Sequence, residues 1–313
     1  MDSEPIIKPT KDGSTTLYSP GFAQHYHNPN GAVAESLYIF FESTGLQEAI
    51  RQHRSLNIFE TGFGTGMNLV ILLDTLESRK SHEALSLESH KSPDFREPYD
   101  ASEPLDARES HELHEPHEPH EPHEPHEPHE PHEKVSYSGA ITYLTVEAYP
   151  IAVETVSKLQ FGADSDLERF KPLLEKIFRD SKPGMNRFEL GSGLTLLLYI
   201  GQFEQLFKDE TISEKFQIIF HDPFSPEVNA ELWTPTVFQK LKSISSPDAL
   251  LSTYCAASSA RAAMAVAGWF VAKNRGALGK REMTLASPDA DRLAGWKRVN
   301  EKRLVERYRN GEF

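Results

Sequence analysis

Strand-like and helix-like segments alternate along the chain, which predicts an α/β fold: a mostly parallel sheet with a closing antiparallel strand and helices on both faces. Three observations carry this. Short runs rich in apolar and β-branched residues recur at 56–60, 141–146, 194–200, 216–220 and 249–254. Longer segments with helical character follow most of them, and glycine-containing turns separate strand from helix at 62–66 and 201.

Taken in order, 56–60 reads as a short buried strand, followed by a glycine-rich turn and an apolar helix over 67–76. A second strand over 141–146 ends at Glu147, with a helix over 151–159. Residues 188–190, the turn Gly191-Ser192-Gly193 and 194–200 predict a hairpin whose second arm is a central strand, and a helix begins at 203–207. Next come a strand over 216–220, a helix containing 236–241, a strand over 249–254 and an alanine-rich helix over 258–267. Residues 270–274 and 282–286 read as the closing antiparallel pair.

With 313 residues, 38% of them hydrophobic, the chain can bury a sizeable core, and we read 1–313 as a single domain. Its apolar runs are too short to span a bilayer, and the opening Met1–Pro5 lacks the regions of a signal peptide. One cysteine, Cys255, excludes an intrachain disulfide scaffold and a multi-cysteine zinc site. These features lead to the expectation of a cytoplasmic protein with no membrane partner.

A net charge of −14 argues at first against a nucleic-acid partner. The charge is uneven, however: residues 80–134 carry 16 acids against 5 bases, whereas 261–313 carry 12 bases against 6 acids. The C-terminal part could therefore face phosphates. The acidic stretch contains His-Glu-Pro six times over 114–131. Proline at every third position removes backbone donors and fixes φ, so 82–134 is expected to be a disordered insertion within the domain. Eight of the 14 histidines lie between His111 and His132, and they can hold divalent metal ions weakly. At the other end, 288–313 is expected to form a basic helical tail with Leu293, Trp296, Leu304 and Tyr308 roughly on one face.

The chemistry begins at Glu60-Thr61-Gly62-Phe63-Gly64-Thr65-Gly66. Alternate glycines directly after a strand let the backbone turn tightly and approach a ligand closely. A dinucleotide fingerprint would need glycine at position 67, where Met67 stands, and the observed spacing instead suits S-adenosylmethionine. Glu147, at the end of the second strand, is placed to accept hydrogen bonds from ribose hydroxyls, and Gly201-Gln202 can face the adenine. Asp222-Pro223-Phe224 ends the fourth strand, where oxygen acceptors could present an amine to a methyl donor. His221 and Cys255 read as packing residues.

Ile58–Asn68, the segment Phe220–Trp233 with Thr234-Pro235, Thr253-Tyr254-Cys255-Ala256 and Gly279-Lys280-Arg281-Glu282-Met283 together resemble the methyltransferase family of MnmC. Asp12-Gly13-Ser14, Leu17-Tyr18-Ser19 and Tyr26-His27 extend the resemblance over about 12–287, apart from the insertion. It implies a Rossmann-like class I fold, S-adenosylmethionine as methyl donor, and methylation of the aminomethyl group on C5 of a tRNA wobble uridine, as in stand-alone MnmD-type proteins. Glu60, Gly62, Gly64, Gly66, Asn68, Glu147, Gly201 and Gln202 would bind the cofactor. Asp222, Pro223 and Phe224 would be catalytic, and Arg261, Arg275, Lys280 and Arg281 would contact RNA. No flavin and no required metal are expected. Departures from the family pattern are Gln202, where an acid is usual, and Ala257-Ser258, where Lys-Gly is usual. The alternatives are an N-methyltransferase of a small amine and a non-catalytic adenosyl-fold or metal-binding protein.

Overall fold

The computed structural model describes residues 4–52, 54–77, 139–162 and 166–313. The expected insertion over 82–134, with its His-Glu-Pro tract, lies outside the described residues. The chain opens with three short strands, β1 (Ile6–Pro9), β2 (Thr15–Ser19) and β3 (Gln24–His25), which form an antiparallel sheet of their own. Helix α1 (Ala32–Ser36), a π-helical stretch over Leu37–Glu42 and α2 (Leu46–Arg51) lead into the main sheet.

That sheet has nine strands. β4 (Leu56–Thr61), β5 (Ile141–Glu147), β7 (Leu194–Ile200), β8 (Phe216–His221) and β9 (Ser245–Thr253) pair parallel in the spatial order β9-β8-β4-β5-β7. β6 (Gly184–Glu189) lies antiparallel on the β7 edge. On the other side β11 (Met283–Ser287) runs antiparallel between β9 and β10 (Phe270–Asn274), and β12 (Lys297–Arg298) adds to β10. The helices between strands are α3 (Met67–Glu77), α4 (Val153–Val156), α5 (Lys171–Asp180), α6 (Phe203–Asp209), α7 (Pro235–Ile244) and α8 (Ser258–Val266).

Side chains of a strand alternate between the two faces of the sheet. Ile58, Tyr143, Leu198, Ile218, Phe220 and Leu250 join one apolar cluster, whereas their neighbours Phe59, Leu144, Tyr199, Ile219 and Leu251 join a second. Both faces are therefore covered, the condition for a parallel sheet. α3 contributes Met67, Leu69, Val70, Ile71, Leu72 and Leu73 to the first cluster, so it is apolar almost all round and packs inside. α7 buries Val237, Phe238, Leu241 and Ile244 against the second cluster; Thr234 caps it by accepting the Val237 N–H, and Pro235 occupies its first turn, where a missing N–H costs nothing.

The C-terminal tail differs from the single amphipathic helix expected over 288–313. Asp291–Leu293 forms a 3₁₀ turn, β12 follows, and only Glu301–Arg309 (α9) is α-helical. Leu293 is fully buried while no residue of α9 is. The tail breaks because the edge of β10 offers free ladder groups, which Lys297 and Arg298 satisfy. Glu301 Oε1 then accepts the Val271 N–H and pairs with Arg298. Among the described residues no helix is long and apolar enough to cross a membrane.

Candidate functional site

The chain runs outward from β4 to β5 and β7, then returns to β8 on the opposite side of β4. In such sheets a ligand fits the crevice between the loops on either side of the reversal. Here the loops are those after β4 and β8, and they touch: Asp222 N–H donates to Thr61 O (3.0 Å), while Gly62 N–H ties the end of β4 to β5 through Val146 O (3.0 Å). A Cβ on Gly62 would lie 2.9 Å from the Asp222 carbonyl oxygen, so only glycine lets these strand ends approach. A cavity of about 320 Å³ opens at this point, lined by Gly62, Gly64, Asn68, Glu147, Gly201 and Gln202 on one side and Asp222, Pro223, Phe224 and Tyr254 on the other. This volume lies in the usual range for small-molecule sites.

The glycine loop is held open by hydrogen bonds that cross between elements. Gly64, at φ +55°, donates its N–H to Glu147 Oε2 (2.8 Å), and Tyr149 N–H donates to Glu147 Oε1 (2.8 Å). Burial pushes the Glu147 carboxyl up, while these backbone donors pull it back. Asn68, at the start of α3, donates from Nδ2 to Glu60 Oε1 (2.8 Å), and its buried Oδ1 has no partner. The neighbouring Thr61 hydroxyl is likewise buried and unpartnered. Unsatisfied acceptors beside a glycine cradle are what a polar ligand with donors of its own would complete. The residues present thus fit an adenosyl cofactor carrying amino and hydroxyl donors.

The N-terminal sheet forms the remaining wall. Thr16 and His27 exchange hydrogen bonds between the Thr16 hydroxyl and the His27 backbone, and His27 Nε2 shares one with Thr65 Oγ1 (2.8 Å) on the glycine loop. Gln24 clasps the loop after β8, donating from Nε2 to Ser225 Oγ (2.5 Å) and accepting the Ser225 N–H (3.1 Å). Phe22 and Tyr26 pack on Phe224, with ring centroids 4.9 and 5.1 Å away. Tyr254 closes the floor, donating its hydroxyl to Pro223 O (2.8 Å).

The family described as S-adenosyl-L-methionine-dependent methyltransferase matches residues 166–289. Over 286 residues the chain is 27% identical to the tRNA 5-methylaminomethyl-2-thiouridine biosynthesis bifunctional protein MnmC of Cupriavidus metallidurans, covering 91% of this chain and 34% of that protein. It is 25% identical over 271 residues to the protein of the same name from Cupriavidus necator, covering 86% of this chain and 32% of that one. The chain therefore spans about a third of the length of these curated relatives. The crystal structure of MNMC2 from Aquifex aeolicus has the same fold, with a TM-score of 0.62 at 21% identity, over 98% of this chain and 76% of that chain.

The chain is thus similar over part of its length to S-adenosyl-L-methionine-dependent methyltransferases and over most of it to the MnmC proteins, with the fold of MNMC2.

Within this site several residues sit differently from what the sequence leads one to expect. Glu60 does not line the cavity; it is buried beneath it, with Oε1 taken by Asn68 and Oε2 by the Thr145 hydroxyl (2.8 Å). Burial raises its carboxyl to about 7 against these two donors. Its part is to aim Asn68. Gly66 also lies off the cavity: a Cβ there would meet Leu174 and Phe63, so this glycine serves core packing. Gln202 caps α6 in a reciprocal arrangement with Gln205 while its side chain stays at the cavity rim.

The largest correction concerns the cations. Arg261 is only 4% exposed, and its guanidinium donates to Glu282, the Thr284 hydroxyl and the Met283 carbonyl. It ties α8 to β11 and has no face left for a phosphate. Lys280 lines the cavity, paired with Glu35 (2.7 Å). Lys280, Arg275 and Arg281 are all exposed. His221 is buried, shares a hydrogen bond with Leu232 O (3.1 Å) and packs edge-on against Trp233; burial drives it down to about 3, so it is neutral. Cys255 is pushed up to about 11 by burial and remains a thiol.

Phe22, Gln24, Asn28 and Glu35 line the cavity without any mark in the sequence, and Tyr26-His27 enter the sequence reading only through the family resemblance. No motif singles them out, because the tertiary path of the N-terminal segment brings them together: Phe22 and Gln24 from the turn into β3, Asn28 from the segment after it and Glu35 from α1. Among the described residues no group of three or more potential ligands could hold a metal ion.

Proposed function

We propose that the protein methylates the primary amine of 5-aminomethyl-(2-thio)uridine at the tRNA wobble position, giving 5-methylaminomethyl-(2-thio)uridine. The observation that carries this reading is the acid-Pro-aromatic loop 222–224 facing the glycine cradle across one cavity, in a chain whose relatives are named for the biosynthesis of this nucleoside. When bound, S-adenosylmethionine supplies a methyl group made electrophilic by its sulfonium centre. Glu147 has lone pairs left for ribose hydroxyls, and the Asn68 Oδ1 can accept from the cofactor's amino group. As the substrate nitrogen's lone pair forms the new N–C bond and sulfur keeps the pair of the broken S–C bond, positive charge moves to nitrogen. In this reading Asp222 holds that charge and takes a proton from it, the basicity of its carboxylate being increased by desolvation and by Glu60 and Glu35, which raise it well above the ordinary range. The rings of Phe22, Tyr26 and Phe224 supply flat apolar faces for a base.

Mass spectrometry of wobble nucleosides from undermodified tRNA, incubated with the protein and S-adenosylmethionine, tests the reading. A mass gain of one methyl group on the aminomethyl uridine is expected; its absence sinks the proposal. A second reading, methylation of a small free amine, is favoured by the engagement of Arg261 and Lys280 in ion pairs, which withdraws them from phosphates. It predicts that the free nucleoside is methylated as well as intact tRNA.

A further inference from the structure

Four consecutive residues, 24–27, join the two sides of the cavity. Gln24, at the start of β3, holds Ser225 with both ends of its amide: Nε2 donates to Ser225 Oγ (2.5 Å) and Oε1 accepts the Ser225 N–H (3.1 Å). Ser225 directly follows Phe224, so this grip closes the 222–224 corner. His27 Nε2 shares a hydrogen bond with the hydroxyl of Thr65 (2.8 Å), which stands between Gly64 and Gly66 on the glycine loop. Between the two grips Tyr26 touches both loops. Its ring meets that of Phe224 edge-on at 5.1 Å, and it lies 3.4 Å from where a Cβ on Gly64 would stand. The segment is held from behind by β2: Tyr26 N–H donates to Leu17 O (2.8 Å) and His27 N–H to Thr16 Oγ1 (2.9 Å), and both partners are fully buried.

We propose that residues 24–27 form a strut between the glycine loop and the 222–225 loop, with Gln24 and His27 as positioning residues that act through Ser225 and Thr65. The proposal rests on the methyl-transfer reading above. In that reading one loop holds the methyl donor and the other the acceptor, and the attacking lone pair, the methyl carbon and the departing sulfur must come into line at near contact. The spacing of the two loops then matters as much as what either contains. Asp222 N–H to Thr61 O joins them once, at their strand ends. The strut joins them a second time through the N-terminal sheet, and its backbone, bonded to a buried strand, has little freedom to lengthen. Its two grips act in series, so losing either one releases the spacing that both maintain.

Hydrogen exchange followed by mass spectrometry on the full chain, without cofactor, tests the mechanical part. Val228 and Asn229 N–H both donate to Ser225 O, so exchange across 224–229 reports on Ser225. Gln24→Met, which keeps the length of the side chain but neither polar group, should speed that exchange. His27→Phe should speed it as well, although its own grip is on the other loop. Turnover at saturating S-adenosylmethionine tests the catalytic part. Each variant should lower kcat for methyl transfer to tRNA by up to about 10²-fold, the cost of a misplacement of about 1 Å, with KM for tRNA little changed. The two substitutions together should cost little more than the worse of them alone, because a strut cut once is already slack. His27→Gln, whose amide nitrogen can replace Nε2, should restore most of the rate. Wild-type exchange across 224–229 in His27→Phe overturns the proposal, as do kcat losses that simply add. A higher KM for tRNA with kcat unchanged in Gln24→Met overturns it too, and makes Gln24 a residue that reads the substrate. Failure of wild-type protein to methylate any amine defeats the functional reading alone, because the exchange result stands apart from it.

Discussion

Asp222 combines a carboxylate on the cavity wall with a backbone locked between strands, since its N–H completes the ladder to Thr61. Side-chain chemistry can therefore be altered there with little effect on the loop. Asp222→Ala is expected to lower kcat by ~10²–10³, the usual cost of removing one preorganised interaction with the transition state, with S-adenosylmethionine affinity within a few-fold. Asp222→Asn should keep more activity than Ala if the oxygen mainly accepts a hydrogen bond, and no more if it must take a proton. Wild-type kcat in Asp222→Ala, measured by methyl transfer to tRNA, would place the amine elsewhere. Gly64 is the opposite case, a residue that acts through its backbone. At φ +55°, with Tyr26 3.4 Å from where a Cβ would stand, valine is both strained and crowded against the N-terminal wall. Calorimetry on Gly64→Val should find S-adenosylmethionine binding abolished while the melting transition remains cooperative.

At the scale of elements, β4 and β8 each bury a titratable side chain near their carboxyl ends, Glu60 and His221. Their effects on stability have opposite sign. Glu60 is raised to about 7, so the folded state holds a proton that the unfolded chain has lost; its contribution is full below the ordinary glutamate range and disappears as pH rises to about 7. His221 is lowered to about 3, so the unfolded chain takes up a proton that the folded state refuses; its contribution is full above pH about 6.5 and is lost on acidification. Between about pH 4.5 and 6.5 the two slopes oppose each other. Glu60→Gln removes only the first, so the variant's stability should climb more steeply with pH across this window than that of wild type. Urea unfolding at several pH values checks this, and parallel curves would mean that Glu60 is already ionised throughout. The substitution keeps one acceptor oxygen and turns the other into a donor, so Asn68 and the Thr145 hydroxyl can no longer both donate to this side chain.

For the whole molecule, the question is how a chain of net charge −14 would meet RNA. Of the four expected phosphate contacts Arg261 is buried and ion-paired and Lys280 is exposed but paired with Glu35, which leaves Arg275 and Arg281 as the exposed pair to test. Replacing both with Ala should weaken tRNA binding and flatten its salt dependence by about one unit of slope for each phosphate that is no longer neutralised. An unchanged slope, measured by titration at several salt concentrations, would place RNA on another face. The expectation drawn from the sequence of 82–134, which lies outside the described residues, makes a separate demand. Deleting 90–133 should leave melting temperature and cofactor affinity nearly unchanged, because loop-closure entropy varies only slowly with length.

The order of the five parallel strands from Leu56 onward is written locally, in apolar runs of strand length and glycine turns, whereas β6 and β9 begin four residues before the expected 188 and 249, and α5 and β12 have no counterpart in the sequence reading. The glycine loop and the Asp222-Pro223-Phe224 corner are legible for the same reason: their chemistry lies within a few consecutive residues. Pairings between distant residues are not. Glu35 and Lys280 stand 245 positions apart, and Gln24 and Ser225 stand 201 apart. Nothing in the local pattern of either partner names the other. Arg261 misleads because α8 is alanine-rich all round, so its periodicity does not tell which face will be covered; β11 packing against it decides that. The three short N-terminal strands carry too few alternating residues to announce themselves, and their register is set by contacts such as Thr15 N–H to Gln160 O, made only once the chain has folded. Period and turn chemistry thus determined the scaffold, while the cavity's charge balance arose from which faces the packing turned inward.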